Sequence, residues 1–353
     1  VKFEEKWNKW LGSEYSVFCN SGSSANLLMY YTLLQSNLLK NNKVIVPSAG
    51  WITSVSPAIQ LGFNPIMCEA DKDTFGLDLN HLEDLLKKNQ PSTVFLVHVL
   101  GVPHKMKELL ELKEKYGFFL LEDACASVGS SYHDRKIGTF GDMAAFSLYF
   151  GHQLSTIEGG IVSTNNKTLN DILLMLRSHG WSKDLDRDSH DKLVKQYGFD
   201  DFHTPFVFYI PGLNLRATDL NAFLGILQIE KFDWVIKRRM ENHAKYREKL
   251  KNNFYIQKYD NNSTVCSISF GVLAENSNHR KSIVKTLEEN FIETRIFSAG
   301  NLGLHPFWTN LYGKPSFPMA DKIYDCGFFL PNHPSLKNED IDFISDIVLH
   351  SLD

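Results

Sequence analysis

GTFGDMAAFSLYFGHQLSTIEGGIVST, residues 138–164, places two short apolar runs on either side of a loop of small and polar residues. MAAFSLY (143–149) and GGIVST (159–164) have the length and composition of buried strands rather than of helices. Ser147 stands at the end of the first run and His152 five residues later in the loop, while Gly159 and Gly160 allow tight backbone packing before the second run. A lone histidine is most often a hydrogen-bonded structural residue. Its imidazole nevertheless takes up and releases protons near neutral pH, so His152 is also a candidate general base.

Working outward, the same rhythm fills residues 43–164. KVIVP (43–47), PIMCEA (65–70), TVFLVHVL (93–100) and FFLLED (118–123) read as further buried strands. Between them Leu79, Leu82, Leu85 and Leu86 recur at helical spacing, as do Met106, Leu109, Leu110 and Leu112. Alternating strands and helices predict an α/β fold with a mostly parallel sheet. Residues 182–212 lose the pattern and read as one long loop. From Thr218 the spacing turns helical again, with Leu220, Leu224, Leu227 and Phe232 on one face. Strand VCSISFGVL (265–273), a helix near 278–290, strand IETRIF (292–297) and a last helix IDFISDIVLHSL (341–352) form a smaller α+β unit. The predicted division is 1–239 for a large domain and 240–353 for a small one, consistent with single cores ceasing to grow at roughly 250–300 residues.

The chain has 353 residues, 43% hydrophobic and 22% charged, with a net charge of −4. Acidic and basic residues are interspersed, so no basic face argues for nucleic acid or anionic lipid, and a small-molecule ligand is expected. No apolar run reaches the ~20 residues of a membrane span. The five cysteines lie far apart without metal-binding spacing, which predicts no metal site and a reducing, cytoplasmic setting.

Three further stretches carry candidate chemistry. NSGSSANLL (20–28) runs from a small-residue turn into a helix, where free N–H groups and the positive end of the helix dipole suit a phosphate near Gly22 and Ser23. The alternative there is an ordinary helix cap. FLLEDAC ends an apolar strand with Glu122 and Asp123, and a carboxylate at that end of a sheet can pair with a cationic ring nitrogen. Trp51, just past strand 43–47, offers a flat face for an aromatic ligand. Phosphate cradle, aromatic plate, carboxylate and serine–histidine loop all follow strands of one sheet. Together they suit a phosphorylated pyridine ring.

With these motifs, and with VPSAGWITSVSPAIQ, LLEDACASVGS, RSHGW, PGLNLRATDLNAFLGILQ and IETRIFSAGN, the chain resembles the DegT/DnrJ/EryC1/StrS family of pyridoxal-phosphate proteins along nearly its whole length. The resemblance implies fold type I, with a mostly parallel seven-stranded sheet. It implies that Gly22, Ser23 and Ser147 bind the phosphate of pyridoxal or pyridoxamine 5′-phosphate, that Trp51 stacks on the ring and that Asp123 meets the pyridine nitrogen. Asn214 would reach the phosphate of a neighbouring subunit, which implies a homodimer with shared active sites. The family's lysine, which binds the cofactor covalently, falls at His152. With RSHGW and ETRIFSAGN, that change resembles the branch that uses L-glutamate as amino donor and removes the 3-hydroxyl of a nucleotide-linked 4-keto-6-deoxy sugar, with GDP as the nucleotide that the resemblance implies. His179, Lys183 and Arg216 are the implied ligands of glutamate or sugar phosphates. Ala126 departs from the acidic or amide residue of relatives. The alternatives are an aminotransferase carrying an engineered lysine replacement and a non-catalytic nucleotide-sugar-binding regulator.

Overall fold

The computed structural model describes residues 1–351. Its strands are β1 (Tyr15–Cys19), β2 (Lys43–Pro47), β3 (Asn64–Cys68), β4 (Thr93–Val97), β5 (Phe119–Asp123), β6 (Ser131–Tyr132), β7 (Arg135–Lys136), β8 (Met143–Ser147), β9 (Gly160–Thr164), β10 (Tyr255–Ile256), β11 (Ser263–Thr264), β12 (Ser269–Leu273), β13 (Arg295–Ile296) and β14 (Gly327–Pro331). Seven of them form a central sheet in the order β1-β9-β8-β5-β4-β2-β3. β2, β3, β4, β5 and β8 run parallel, and β9 is antiparallel to both β8 and β1. β4 and β8 are buried throughout, as their continuous apolar sequences require of strands covered on both faces.

This direction pattern brings the C-terminal ends of β1, β2, β5 and β8 to one edge of the sheet. β9 starts at that edge, with Gly160 paired to both Cys19 and Ser147. The helices α1 (Lys2–Leu11) and α2 (Gly22–Gln35) lie on opposite faces. α1 buries Phe3, Trp7 and Leu11 in one apolar cluster, and α2 buries Ala25, Leu28 and Met29 in the other. A third cluster fills the space between β12, β14 and the helices Phe232–Leu250, Ser277–Glu289 and Asn338–His350. Its sheet has the order β10-β12-β14-β13. The helix Phe232–Leu250 runs without a break through the expected domain boundary at 239/240.

Several expectations need correction. The strand Tyr15–Cys19, which supplies the seventh member of the sheet, was not among those read from the pattern. It is only 5 residues long and abuts the helical spacing of α2, so no alternation develops. The expected loop 182–212 contains the helix Arg187–Tyr197, capped by Asp186, whose side chain accepts from Ser189 N–H, and closed by Gly198 in the left-handed region. Its apolar side is only Leu193 and Val194, both half-buried with Leu193 against the core, too narrow a stripe to betray it. The face Leu220–Leu224–Leu227 is not core: Leu220 is 77% exposed, Leu227 is exposed, and only Phe232 is buried. The helix Asp219–Glu230 instead turns Gly225 onto Phe3, where a Cβ would come within 2.4 Å of that ring. The last helix spans Asn338–His350, and Leu352 of the expected segment lies outside the described residues.

Candidate active site

The site is built at the sheet edge where β1, β2, β5 and β8 end. α2 begins there with Ser21 as its cap, the Ser21 hydroxyl accepting from Ser24 N–H at 3.1 Å. The first turn carries no acidic residue, so nothing on the helix itself neutralises the dipole. Gly22 is buried against Ser147, and a Cβ at Gly22 would lie 2.6 Å from the Ser147 Cβ. Gly160 closes the cradle from the other side, where a Cβ would lie 2.1 Å from the Ser21 carbonyl oxygen. Gly22 and Ser147 are thus pressed together by their backbones, with Ser23 exposed at the rim.

Asp123, the last residue of β5, is buried and fully engaged. Its Oδ2 accepts from Asn26 Nδ2 at 2.9 Å and from Ser54 Oγ at 3.5 Å, and its Oδ1 accepts from Cys125 N–H at 3.0 Å. Donors on three elements hold the carboxylate plane in one orientation. Asn26 sits one helical turn beyond Gly22, and its own Oδ1 is buried without a partner. Trp51 follows β2 and is 57% exposed, so its indole face is free to meet a planar ligand.

His152 lies in the loop after β8, half-buried, with its N–H donating to the Tyr149 carbonyl at 2.9 Å. Its Nδ1 is 2.6 Å from the Cys125 carbonyl oxygen. A carbonyl only accepts, so Nδ1 carries the proton and the neutral ring presents an Nε2 lone pair. Burial pushes the His152 pKa below its ordinary value, opposed by the Cys125 carbonyl and the Asp123 charge and assisted by the Arg239 charge. The neutral, proton-accepting form is therefore the resting state at neutral pH.

The arrangement fits a phosphorylated pyridine. A helix N-terminus without a competing acid is suited to a phosphate, and a buried carboxylate held by three donors is suited to a cationic ring nitrogen. The His152 ring is tied to the carbonyl of Cys125, two residues beyond Asp123.

Residues 1–349 match the DegT/DnrJ/EryC1/StrS aminotransferase family. The chain belongs to this family. The GDP-4-keto-6-deoxy-D-mannose 3-dehydratase of Yersinia pseudotuberculosis is 30% identical over 98% of this chain and 90% of that protein. A GDP-perosamine synthase of Escherichia coli O157:H7 is 27% identical over 98% of this chain and 88% of its own length. Among solved structures, E. coli GDP-4-keto-6-deoxy-D-mannose-3-dehydratase with bound hydrated PLP superposes with a TM-score of 0.89 at 27% identity, covering 98% of this chain and 90% of that one. The fold-type-I expectation is borne out by these superpositions.

Within this family member, the residues named from the sequence fall into two groups. Gly22, Ser23, Trp51, Asp123, Ser147 and His152 share the sheet edge just described. Asn214 and Arg216 lie on an extended segment that lines the free edge of β1, where Asn20 N–H donates to the Leu215 carbonyl at 2.9 Å. Both side chains are exposed, and Arg216 Nε donates to Asn214 Oδ1 at 3.2 Å. Arg216 and Lys183 line an open cleft of about 570 Å³ together with Glu4 and Arg177, apart from His152 and Asp123. His179 adopts a left-handed backbone (φ 61°) and packs edge-on against Trp181, whose ring also faces the Lys183 ammonium at 5.7 Å. None of these four hydrogen-bonds with Asp123 or His152.

Sequence reading missed Asn26, Ser54 and Gln153. Asn26 was legible in principle as a polar residue amid the buried positions Ala25, Leu28 and Met29 of α2. Ser54 and Gln153 had no signal, because their partners come from distant segments.

Proposed function

We propose that this chain is a pyridoxal-phosphate- and glutamate-dependent 3-dehydratase that removes the C3 hydroxyl of a nucleotide-linked, most simply GDP-linked, 4-keto-6-deoxyhexose. The observation that carries the reading is His152, a neutral base with its Nε2 lone pair free, at the position that the resemblance gives to the family's lysine. An imidazole cannot hold the cofactor covalently, but it can accept and return a proton. When bound in its pyridoxamine form, obtained with L-glutamate as donor, the cofactor supplies an amine for the sugar C4 ketone and a ring that accepts electrons. His152 would be the residue that takes the proton from the cofactor C4′ carbon and returns it to the departing C3 hydroxyl. Asp123 would keep the pyridine nitrogen protonated, the Gly22 and Ser23 N–H groups with the Ser147 hydroxyl would hold the phosphate, and Trp51 would cover the ring. Kinship with the Yersinia dehydratase and with a solved histidine-to-asparagine mutant of such an enzyme bound to GDP-perosamine supports GDP as the nucleotide.

The exposed apolar face of Leu220, Phe223 and Leu227, next to the extended Asn214–Arg216 segment, supports a homodimer in which Asn214 reaches the partner's phosphate. His179, Lys183 and Arg216 would then serve glutamate or sugar phosphates. We assign residues 1–239 to the cofactor-binding domain and 240–353 to the smaller one. No helix among the described residues is long and apolar enough to cross a membrane, and we place the enzyme in the cytoplasm.

GDP-perosamine synthases among the relatives favour 4-amino transfer as the second reading. The test is incubation with pyridoxal phosphate, glutamate and nucleotide-4-keto-6-deoxyhexoses, following 2-oxoglutarate, ammonia and the sugar product. Ammonia in step with a 3-deoxy sugar is expected. A 4-amino sugar without ammonia would overturn the dehydratase reading, and tight cofactor binding without turnover would point to a regulator.

A further inference from the structure

We propose that Gln153 is a positioning residue that fixes the direction of the His152 imidazole by locking its loop to the loop after β5 and to the segment before β12. The inference rests on the reading of His152 as the base. His152 and Gln153 are consecutive, and their side chains grip consecutive carbonyls: His152 Nδ1 meets Cys125 O at 2.6 Å, and Gln153 Nε2 donates to Ala126 O at 2.5 Å. The second Gln153 N–H goes to Cys266 O at 2.7 Å. Both amide protons are therefore used, and the amide cannot turn over, since that would set its oxygen against two carbonyl oxygens.

The surroundings leave little slack. Gln153 is buried, and its Oε1 has no partner. Gly101 presses on the same pair of carbonyls, where a Cβ would lie 2.6 Å from Ala126 O and 3.0 Å from Cys266 O. The Arg239 guanidinium holds the next carbonyls of that segment, donating to Ser267 at 3.3 Å and Ile268 at 3.1 Å. Just ahead of His152, Phe150 is 67% exposed and Gly151 is exposed, while Tyr149 accepts the His152 backbone N–H and sets its ring edge-on to the imidazole at 6.2 Å. These contacts tether the loop locally, the two side-chain clamps tie it to other segments, and only the Gln153 clamp reaches a third segment. Loosening it lets the imidazole rotate away from the reacting carbon and out towards solvent.

The test uses full-length protein and the variants Gln153→Met, which keeps volume but donates nothing, and Gln153→Asn, which keeps the amide but is too short to span both carbonyls. The first readout needs no turnover. Histidine Cε1–H NMR titration of the cofactor-free protein, with the His152 signal assigned through His152→Asn, follows the ring's environment. In the wild type it should titrate below the ordinary value, and in Gln153→Met it should move up towards about 6.5. With GDP-4-keto-6-deoxymannose as substrate, kcat should fall about tenfold or more with KM within about twofold, as expected for lost orientation of a reacting group. Gln153→Asn should give the same direction with a smaller change, which keeps the inference testable if Gln153→Met does not fold. An unchanged His152 titration and unchanged kcat in either folded variant would overturn it. Wild-type dehydration by His152→Asn would instead refute the base reading, a result distinguishable because the titration reports on the ring's surroundings without any turnover.

Discussion

Replacing Gly22 by alanine tests the phosphate cradle where its geometry is least forgiving. The added Cβ would stand 2.6 Å from the Ser147 Cβ and 3.0 Å from both its Cα and its Oγ. Carbon atoms in contact prefer about 3.5–4.0 Å, so α2 and β8 must separate by roughly 1 Å. α2 cannot slide freely, because Ala25, Leu28 and Met29 are fully buried behind the turn. Overpacking of this kind costs about 1–3 kcal/mol. The N–H groups of the first turn move with the helix, and hydrogen bonds to a charged group are worth about 1.5–3 kcal/mol each. Weakening one of them lowers phosphate affinity by about 10- to 150-fold, at roughly 1.4 kcal/mol per tenfold. Titrating apoprotein with pyridoxal phosphate, read through quenching of tryptophan fluorescence, measures this directly, with a thermal melt to record the stability loss. The double variant Gly22→Ala/Ser147→Gly removes the clashing Cβ and should recover the melting temperature. Wild-type cofactor affinity in folded Gly22→Ala would refute the placement of the phosphate.

Asp123→Asn keeps the shape but puts an amide opposite the Asn26 and Cys125 donors. We expect it to bind the cofactor and to lose at least about 100-fold in dehydration, because an amide cannot keep the ring nitrogen protonated; loss of less than about threefold by the ammonia assay would contradict the pairing. Burial, assisted by the Arg247 charge, pushes the His243 pKa down to about 3. The unfolded chain, with a histidine pKa of about 6.5, then binds more protons, so stability falls as pH drops below that value; by about pH 5 the loss is about 2 kcal/mol. Urea melts should show this loss reduced in a folded His243→Phe variant, and an equal pH dependence in the two proteins would contradict it. If the proposed homodimer forms through this face, Leu220→Asp with Phe223→Asp should lower the wild-type sedimentation coefficient to that of a monomer, and an unchanged coefficient would remove that face from the interface.

The parts of the fold that were legible share a physical cause. β4, β5 and β8 are covered on both faces, so each appears as an unbroken apolar run whose end can be read to within a few residues. Asp123 and Ser147 stand out as candidates for the same reason, since each is a polar residue ending such a strand; Gly22 stands out instead through the small-residue turn that opens α2. The helix Arg187–Tyr197 was not legible because it sets only Leu193 against the core, so its Asp186 and Gly198 caps are its clearest marks. Asn26 and Gln153 escaped because their roles are set by partners from other segments, at sequence separations of 97 and 113 residues for Asp123 and Cys266. Lys183 and Arg216 line a cleft apart from His152 within one chain; in the proposed dimer Asn214 would serve the partner's site, and no spacing within one chain encodes that.

The central claim is that His152 moves the proton that separates dehydration from amine transfer. Its most direct test is ammonia release by His152→Asn protein preloaded with pyridoxamine phosphate and mixed with GDP-4-keto-6-deoxymannose. The account predicts a protein that holds its cofactor and releases no ammonia. Ammonia release at the wild-type rate would contradict it.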